Sequence, residues 1–235
     1  MIELRELHTH YGLSHIIQGV SLTAAPGEVV GLFGRNGVGK TTLLKAVAGW
    51  VKPTSGEILL EGRRIDGLAP DAIARAGVGF VPEDRRIFPG LTVEENLDLG
   101  LLQRPSMGRA EQAAAMERTY ARFPRLKERR GQLGTTLSGG EQQMLAIARV
   151  LVADPAVMLI DEPTEGLAPM IVADIFAIVR ELKAAGKVVL LVEQNVHGAI
   201  AVCDRFYAIE RGRVIREGRA DTPDARKEVL EALTV

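Results

Sequence analysis

Cysteine, net charge and long apolar runs are all scarce in this sequence. Cys203 is the single cysteine among 235 residues, which excludes an internal disulfide and fits a reducing compartment. Because no second cysteine or catalytic partner accompanies it, we expect Cys203 to pack as a small hydrophobic residue. The longest apolar runs, such as residues 188–192, span about five residues, whereas a membrane-spanning helix needs about 20. We therefore expect no membrane-spanning segment in this chain.

Charge and composition narrow the choice of function further. The formal net charge at pH 7 is −1, whereas a general nucleic-acid binder usually carries a strong basic excess. Residues 1–5 show no basic segment leading into an apolar one, so we do not expect a secreted protein. No repeat, low-complexity tract or long linker divides the 235 residues. The sequence therefore predicts a single domain over residues 1–235 with a substantial core.

The most informative segment, GRNGVGKTT at residues 34–42, fits the phosphate-binding pattern G-x-x-x-x-G-K-[ST] without a mismatch. It lies between an apolar run at 28–33, expected to be a buried strand, and a helical run at 43–48. Glycines bring backbone N–H groups close to phosphate oxygens, Lys40 supplies a positive charge, and the Thr41 hydroxyl can bind Mg²⁺. The residues predicted to bind a nucleoside triphosphate here are Gly34, Arg35, Asn36, Gly37, Val38, Gly39, Lys40, Thr41 and Thr42.

A second element supplies carboxylates. The run VMLIDE at residues 157–162 predicts a buried strand that ends in Asp161 and Glu162. Open parallel sheets bind ligands at the carboxyl ends of their strands. We expect Asp161 to bind Mg²⁺ directly or through water, and Glu162 to act as the general base for an attacking water.

A third element, LSGGEQQ at residues 137–143, has two compatible interpretations. Ser138 and Glu141 form a capping box, S-x-x-E, that can begin the helix which follows. A capping box does not require Gly139 and Gly140, however, and these glycines suggest a close approach by another backbone or by phosphate. Both interpretations can hold together, because a capped helix N-terminus can present Ser138 and N–H groups to an anion.

Hydrophobic periodicity gives the order of elements along the chain. Short strand-like pieces at 2–24 surround a turn at 11–12, and the pattern from about 92 to 152 is helical. Further predicted strands are 56–62, 78–82, 157–160, 188–192, 207–209 and 214–216, with a helix at 170–185 and an amphipathic helix at the C-terminus. Continuous apolar strands on either side of a helix indicate a parallel sheet in an α/β fold.

With these three elements in this order, the chain resembles the ATP-binding subunit of an ABC transporter over essentially its whole length. The resemblance implies an α/β fold: a P-loop NTPase with a RecA-like parallel core, an antiparallel β-subdomain and an inserted helical subdomain at approximately 90–152. It implies an ATPase that uses ATP and Mg²⁺. It also implies a head-to-tail dimer with a second ATPase subunit, identical or paralogous. In that dimer the residues covering the partner's ATP would be Ser138, Gly139, Gly140 and Gln142.

The resemblance implies further partners and a location. Integral-membrane permease subunits would contact the surface around residues 83–94, and a solute-binding protein would act indirectly. No nucleic acid is expected, and the protein would lie peripherally at the cytoplasmic face of the inner membrane. Tyr11 stands where the family has an aromatic residue that stacks on adenine, the plainer alternative being a strand or turn aromatic.

Three positions depart from the usual family pattern. Glu83 replaces a glutamine, and it could help to hold Mg²⁺ or simply repel the γ-phosphate. Gln194 replaces the switch histidine; it can donate a hydrogen bond but stays neutral. Ala168 stands where an aspartate is usual. Together with the phosphate-binding loop and the acidic strand end, these positions complete the predicted site. The predicted catalytic residues are Glu162, Gln194 and Lys40. The predicted metal ligands are Thr41, Asp161 and Glu83.

These departures, with TVEENL at 92–97 and FPRL at 123–126, make the chain similar to one of the two ATPases of branched-chain (hydrophobic) amino acid importers. The urea and short-amide importers are close alternatives. An exporter ATPase of the lipopolysaccharide-transport type would keep the glutamine and the histidine. A soluble ABC ATPase acting on nucleic acid would carry a coiled-coil insertion or a second ATP domain. A non-hydrolysing regulator is opposed by the intact Lys40, Asp161 and Glu162.

Histidines offer two weaker hypotheses. His197 lies three residues after Gln194 and could be a displaced switch histidine. His8 and His10 would share one face of a strand, but a metal site would need a third ligand.

Overall fold

The computed structural model describes residues 1–222 and 224–234. Its strands are β1 (Ile2–Tyr11), β2 (Ser14–Ala24), β3 (Val29–Phe33), β4 (Ser55–Leu60), β5 (Arg63–Arg64), β6 (Val78–Val81), β7 (Val157–Asp161), β8 (Val188–Glu193), β9 (Arg205–Glu210) and β10 (Arg213–Arg219). Its α-helices are α1 (Lys40–Val47), α2 (Pro70–Arg75), α3 (Val93–Leu101), α4 (Arg109–Arg122), α5 (Pro124–Glu128), α6 (Gly139–Leu151), α7 (Pro169–Ala184), α8 (Val196–Ala199) and α9 (Ala225–Thr234). Two sheets hold these elements together.

The larger sheet has six strands in the order β10-β9-β3-β8-β7-β6. β9, β3, β8, β7 and β6 are parallel, and β10 pairs with β9 in the antiparallel sense at one edge. Every residue of β3, β7 and β8 is buried, as expected for parallel strands that helices cover on both faces. Their registers pair Phe33 with Glu193 and Asp161 with Val192, so the three strands end at one level.

The smaller sheet is antiparallel, in the order β2-β1-β4-β5. β1 and β2 are 10 and 11 residues long and joined at Gly12 and Leu13, where the sequence had suggested several short pieces. Bulges interrupt the pairing, and these irregularities hide the simple alternation that marks a long strand in sequence. The Gln18 N–H donates to the Gly212 carbonyl at 2.8 Å and joins the hairpin to the larger sheet.

The segment from α3 to α6 is helical, as its composition predicted. Two of its helices begin with a complete capping box, Thr92 with Glu95 and Ser138 with Glu141. Each box satisfies backbone N–H groups that the first turn leaves without a partner. α3 packs closely against α6, so α3 supports the helix that begins at the LSGGEQQ segment.

Two hydrophobic clusters cover opposite faces of the larger sheet. Phe33, Ile160 and Leu191 belong to one cluster, and Leu32 and Leu159 to the other. Alternate residues of a strand point to opposite faces, so each central strand contributes to both clusters. Cys203 is buried in the first of these clusters, as expected for a small packed hydrophobic residue. Among the described residues, no helix is long and apolar enough to span a membrane.

Gly100 permits the close contact between α3 and α6. A Cβ atom at this position would overlap the carbonyl oxygen of Arg149 and lie 2.6 Å from Val152 Cγ1. We predict that Gly100→Ala lowers the free energy of unfolding by about 1–3 kcal/mol, because the two helices must separate to accept the methyl group.

Gly67→Ala is the matched control, since no atom lies within 4 Å of a Cβ built at Gly67. Denaturant unfolding of both variants and the parent would measure the difference. Equal stability of Gly100→Ala and the parent would show that the helices tolerate a wider separation.

Candidate functional site

A cavity of about 370 Å³ opens where the central strands end. Its lining residues are Tyr11, Ile16, Asn36, Gly37, Gly39, Lys40, Thr41, Thr42, Glu83 and Glu162. The cavity therefore brings together residues predicted separately from the hairpin, the phosphate-binding loop and two strand ends. Tyr11 is 49% exposed at the end of β1, so its ring is available to a planar ligand.

The loop at residues 34–39 is shaped for close approach by an anion. Gly37 and Gly39 have φ angles of 80° and 111°, in the region that favours glycine. Gly39 is the N-cap of α1 and provides no side-chain cap, and the first turn of α1 contains no acidic residue. The N–H groups of that turn and the positive end of the helix are thus directed at the cavity.

Lys40 is the buried cation of the site. Its Nζ donates to the carbonyl oxygens of Gly34 at 2.8 Å and Arg35 at 3.2 Å. It also lies 3.2 Å from Glu162 Oε1, and the two side chains are only 3% and 8% exposed. A buried charge needs a partner, and in this arrangement Lys40 and the predicted general base neutralise each other.

Asp161 and Thr41 form the predicted magnesium site. Thr41 Oγ1 donates to Asp161 Oδ1 at 3.1 Å. The other carboxylate oxygen, Oδ2, is buried without a hydrogen-bond partner among the described residues. Burial raises the pKa of Asp161 to about 6, although the Thr41 hydrogen bond acts in the opposite direction. An unpartnered carboxylate oxygen beside a hydroxyl is a donor set that fits Mg²⁺, which prefers oxygen ligands and keeps several waters.

Glu83 faces other carboxylates across the cavity. Its pKa is raised, first by partial burial and then by repulsion from Glu162 and Glu165. A cation bound nearby would relieve that repulsion. Within residues 1–222 and 224–234, no group of three or more His, Cys, Asp or Glu side chains could hold a metal ion. The assignment of Glu83 as a metal ligand therefore stays a prediction.

Gln194 and His197 follow β8 but lie outside the cavity lining. Gln194 is exposed immediately after the strand end. Asn195 caps α8 by accepting the His197 N–H at 3.2 Å. The His197 ring lies 3.1 Å from Arg226 Nη2, so it contacts the C-terminal helix α9. This contact gives no support to a displaced switch histidine.

The LSGGEQQ segment also lies apart from the cavity of its own chain. Ser138 and Gly139 are exposed, and the Gln142 side chain donates to the carbonyls of Thr135 and Leu137. None of the four residues predicted to cover ATP lines the cavity. The predicted role of Ser138, Gly139, Gly140 and Gln142 therefore requires a second subunit, and it remains a prediction.

Sequence reasoning missed two contacts near the site. Glu193 is buried between the predicted strand 188–192 and Gln194, and it accepts hydrogen bonds from Thr164. Arg149 of α6 donates to the carbonyl oxygens of Arg85 and Arg86, two consecutive residues with φ angles of 56° and 45°. A carboxylate placed directly after an apolar strand run was the available signal for Glu193. The Arg149 contact carries no sequence signal, because it involves backbone oxygens far along the chain.

A family model described as ABC transporter matches residues 17–165. The chain is similar to the high-affinity branched-chain amino acid transport ATP-binding protein BraG of Pseudomonas aeruginosa, at 43% identity over 92% of this chain and 91% of BraG. It is also similar to the lipopolysaccharide export system ATP-binding protein LptB of Escherichia coli K12, at 36% identity over 91% of this chain and 88% of LptB.

Solved structures give the same fold. An ATP-binding subunit of an ABC transporter matches with a TM-score of 0.85 and 29% identity, covering 97% of this chain and 94% of that one. A dimeric ATP-binding cassette in a post-hydrolysis state, bound to ADP and Pi, matches with a TM-score of 0.85 and 26% identity, covering 94% and 100%. These similarities confirm the predicted α/β fold with a P-loop core.

The raised pKa of Asp161 predicts a specific pH dependence of stability in EDTA. Its pKa rises from 3.8 to about 6 on folding, so the folded chain holds a proton that the unfolded chain has already released. The stability from this group is present below about pH 4 and is lost as the pH rises through about 6. Asp161→Asn, which cannot ionise, should therefore be more stable than the parent by on the order of 2 kcal/mol near pH 8.

Denaturant unfolding near pH 4 and pH 8 tests this, with Asp174→Asn on the exposed side of α7 as the control for a lost charge. A stability gain for Asp161→Asn that is the same at both pH values would refute the assigned ionisation.

Proposed function

The chain belongs to the ABC transporter family and is an ATPase of that family, and we propose that it powers an importer for branched-chain or other hydrophobic amino acids. The observation that carries this proposal is the 43% identity to BraG, which extends over 92% of this chain. The residues at positions 83 and 194 support the same choice. The resemblance implies that the branched-chain importer ATPases share the departures Glu83 and Gln194.

A second candidate is an exporter ATPase, favoured by the 36% identity to LptB over 91% of this chain. The exporter type is expected to keep a glutamine at position 83 and a histidine at position 194, and this chain has neither. Identity of 43% against 36% points in the same direction. Urea and short-amide importers remain alternatives within the importer class, because the transported compound contacts other subunits.

ATP binds, in this proposal, across the cavity between Tyr11 and the phosphate-binding loop. The ring of Tyr11 stacks on adenine, and the loop N–H groups hold the phosphates. Lys40 moves its charge from Glu162 to the outer phosphates. Thr41 and Asp161 would hold Mg²⁺, which supplies positive charge to the phosphate oxygens when bound, and Glu83 is a further candidate ligand.

Hydrolysis follows once Lys40 has left Glu162. The freed carboxylate accepts a proton from the attacking water, as a general base does. Gln194, at the end of β8, donates a hydrogen bond to the γ-phosphate without changing its charge. The close Lys40–Glu162 contact, at 3.2 Å, thus keeps the base occupied until phosphate competes for the lysine.

A second ATPase subunit, identical or paralogous, completes the site in this proposal. The cavity of one chain lacks Ser138 and its neighbouring glycines, which would reach the ATP of the other chain. Their helix N-terminus suits a phosphate, because it offers N–H groups and a positive dipole end. ATP binding then closes the dimer, and hydrolysis opens it.

Permease subunits are proposed to dock on the surface around residues 83–94, at the cytoplasmic face of the inner membrane. Two exposed aromatic side chains mark this surface, each with an arginine over its ring. The Cζ atom of Arg86 lies 4.6 Å from the ring centroid of Trp50, and the Cζ atom of Arg149 lies 5.0 Å from the ring centroid of Phe88. Exposed aromatic and arginine residues are typical of protein interfaces. The solute-binding protein acts through the permease.

Glu162→Gln separates binding from hydrolysis. We expect Mg·ATP affinity within a few-fold of the parent and turnover at least about 100-fold lower, because the amide cannot accept the proton of water. Turnover of the parent should rise steeply with protein concentration, as a dimeric site requires. Steady-state phosphate release and binding of a fluorescent ATP analogue provide the measurements.

Glu111→Gln, on the exposed face of α4, is the matched control and should hydrolyse ATP like the parent. Parent-like turnover in Glu162→Gln would show that Glu162 is not the general base. A rate that stays proportional to protein concentration, with no loss of specific activity on dilution, would contradict a dimer that assembles on ATP binding as the active species. Co-purification with permease subunits and stimulation by a loaded amino-acid-binding protein then test the importer assignment.

Gln194 and His197 can be distinguished by their alanine variants. Gln194→Ala should reduce turnover at least about 10-fold, because one hydrogen-bond donor to the γ-phosphate is lost. His197→Ala should leave turnover and its pH profile unchanged, because that ring contacts Arg226 of α9. The reverse pattern, with a slow His197→Ala and a normal Gln194→Ala, would make His197 the phosphate sensor.

A further inference from the structure

Glu193 is a buried carboxylate that the proposed chemistry does not use. It ends β8 beside Phe33, the last residue of β3 before the phosphate-binding loop. Its side chain is only 2% exposed. Burying a carboxylate is costly unless donors surround it, so its presence directly before Gln194 requires a structural reason.

Two hydrogen-bond donors of Thr164 converge on this carboxylate. The Thr164 hydroxyl donates to Glu193 Oε1 at 2.8 Å, and the Thr164 N–H donates to the same oxygen at 3.2 Å. Both donors belong to the loop after Glu162, and the carboxylate that accepts from them directly precedes Gln194, the proposed γ-phosphate sensor.

We propose that Glu193 is a positioning residue that ties the loop after Glu162 to the segment of Gln194, so that the base and the phosphate sensor keep a fixed separation. The inference rests on the proposed function, because it concerns how Glu162 and Gln194 act on one ATP. It assigns Glu193 no contact with ATP.

The backbone around Glu162 explains why such a tie is needed. Glu162 has a φ angle of 43°, a conformation that costs energy for a residue other than glycine. Its N–H donates to the Val192 carbonyl at 2.9 Å. The Glu193–Thr164 hydrogen bonds lie two residues further on. β8 therefore holds this strained segment at two points, at Glu162 through Val192 and at Thr164 through Glu193.

A carboxylate suits this position better than an amide. Both Thr164 donors reach one oxygen of Glu193. A carboxylate can present either of its two oxygens to them, whereas a glutamine has one acceptor oxygen and an NH₂ group that cannot accept. Burial and the negative charge of Glu162 raise the pKa of Glu193 to about 7, while the donors from Thr164 lower it. The donors thus offset part of the cost of keeping this group charged.

The tie is tested by turnover in four variants. Glu193→Ala and Thr164→Val should lower kcat by about 10- to 100-fold, because misplacing a catalytic group by about 1 Å costs up to that amount. KM for ATP should stay within about threefold, since no phosphate contact is lost. Glu193→Gln should lose less than Glu193→Ala, and Thr164→Ser should recover most of the parental kcat because it keeps the hydroxyl donor.

A double variant separates positioning from general destabilisation. Glu193→Ala with Thr164→Val should be no slower than the slower single variant, because both changes remove the hydrogen bond between the Thr164 hydroxyl and Glu193. Fully multiplicative losses, or an equal kcat in Thr164→Val and the parent, would overturn the proposal. Glu111→Gln again serves as the control.

Hydrogen exchange at the backbone amides of residues 162–168 tests the Glu193–Thr164 contact without measuring turnover. In the nucleotide-free protein, exchange should be faster in Glu193→Ala and in Thr164→Val than in the parent, while peptides from α4 stay unchanged. Unchanged exchange in 162–168 would overturn the proposal even if turnover fell. A parent that binds ATP but does not hydrolyse it would refute the ATP-driven importer instead, and the exchange result would still decide the role of Glu193.

Discussion

The site depends on the parallel pairing of β3, β8 and β7, which brings three strand ends to one level. Phe33 pairs with Glu193, and Asp161 pairs with Val192. Because all three strands are buried on both faces, a slip by one residue would turn each side chain into the wrong hydrophobic cluster. The same packing that stabilises the sheet therefore sets the distances between the phosphate-binding loop, the acidic pair and the segment of Gln194.

The parts of this arrangement with a local cause could be predicted from sequence. The glycine spacing and Lys40 identified the phosphate-binding loop, and the apolar runs identified the central strands that flank it. The capping box at Ser138 was predicted and is present, because its two side chains are three residues apart on one helical turn. The family and the α/β fold followed from these motifs and are confirmed by the comparisons.

Contacts between distant segments could not be predicted in the same way. Nothing local shows that Lys40 reaches Glu162, or that Arg149 donates to the carbonyls of the strained pair at residues 85–86. The long hairpin was read as shorter strands because its bulges break the alternation. Glu193 was assigned no role from sequence, whereas its buried side chain is a hydrogen-bond acceptor for another loop. Such features depend on which segments the fold brings together.

Cys203 has a practical consequence for spectroscopy. Its thiol is buried, burial raises its pKa well above that of a free cysteine, and it donates to the Ala199 carbonyl at 3.2 Å. Since the thiolate is the species that reacts with maleimides and similar reagents, the native chain is nearly inert to them at neutral pH. Fluorophores or spin labels can therefore be attached to a single introduced surface cysteine in the natural sequence background. The proposed closure of two ATPase subunits would then be measured as a change in the distance between their labels.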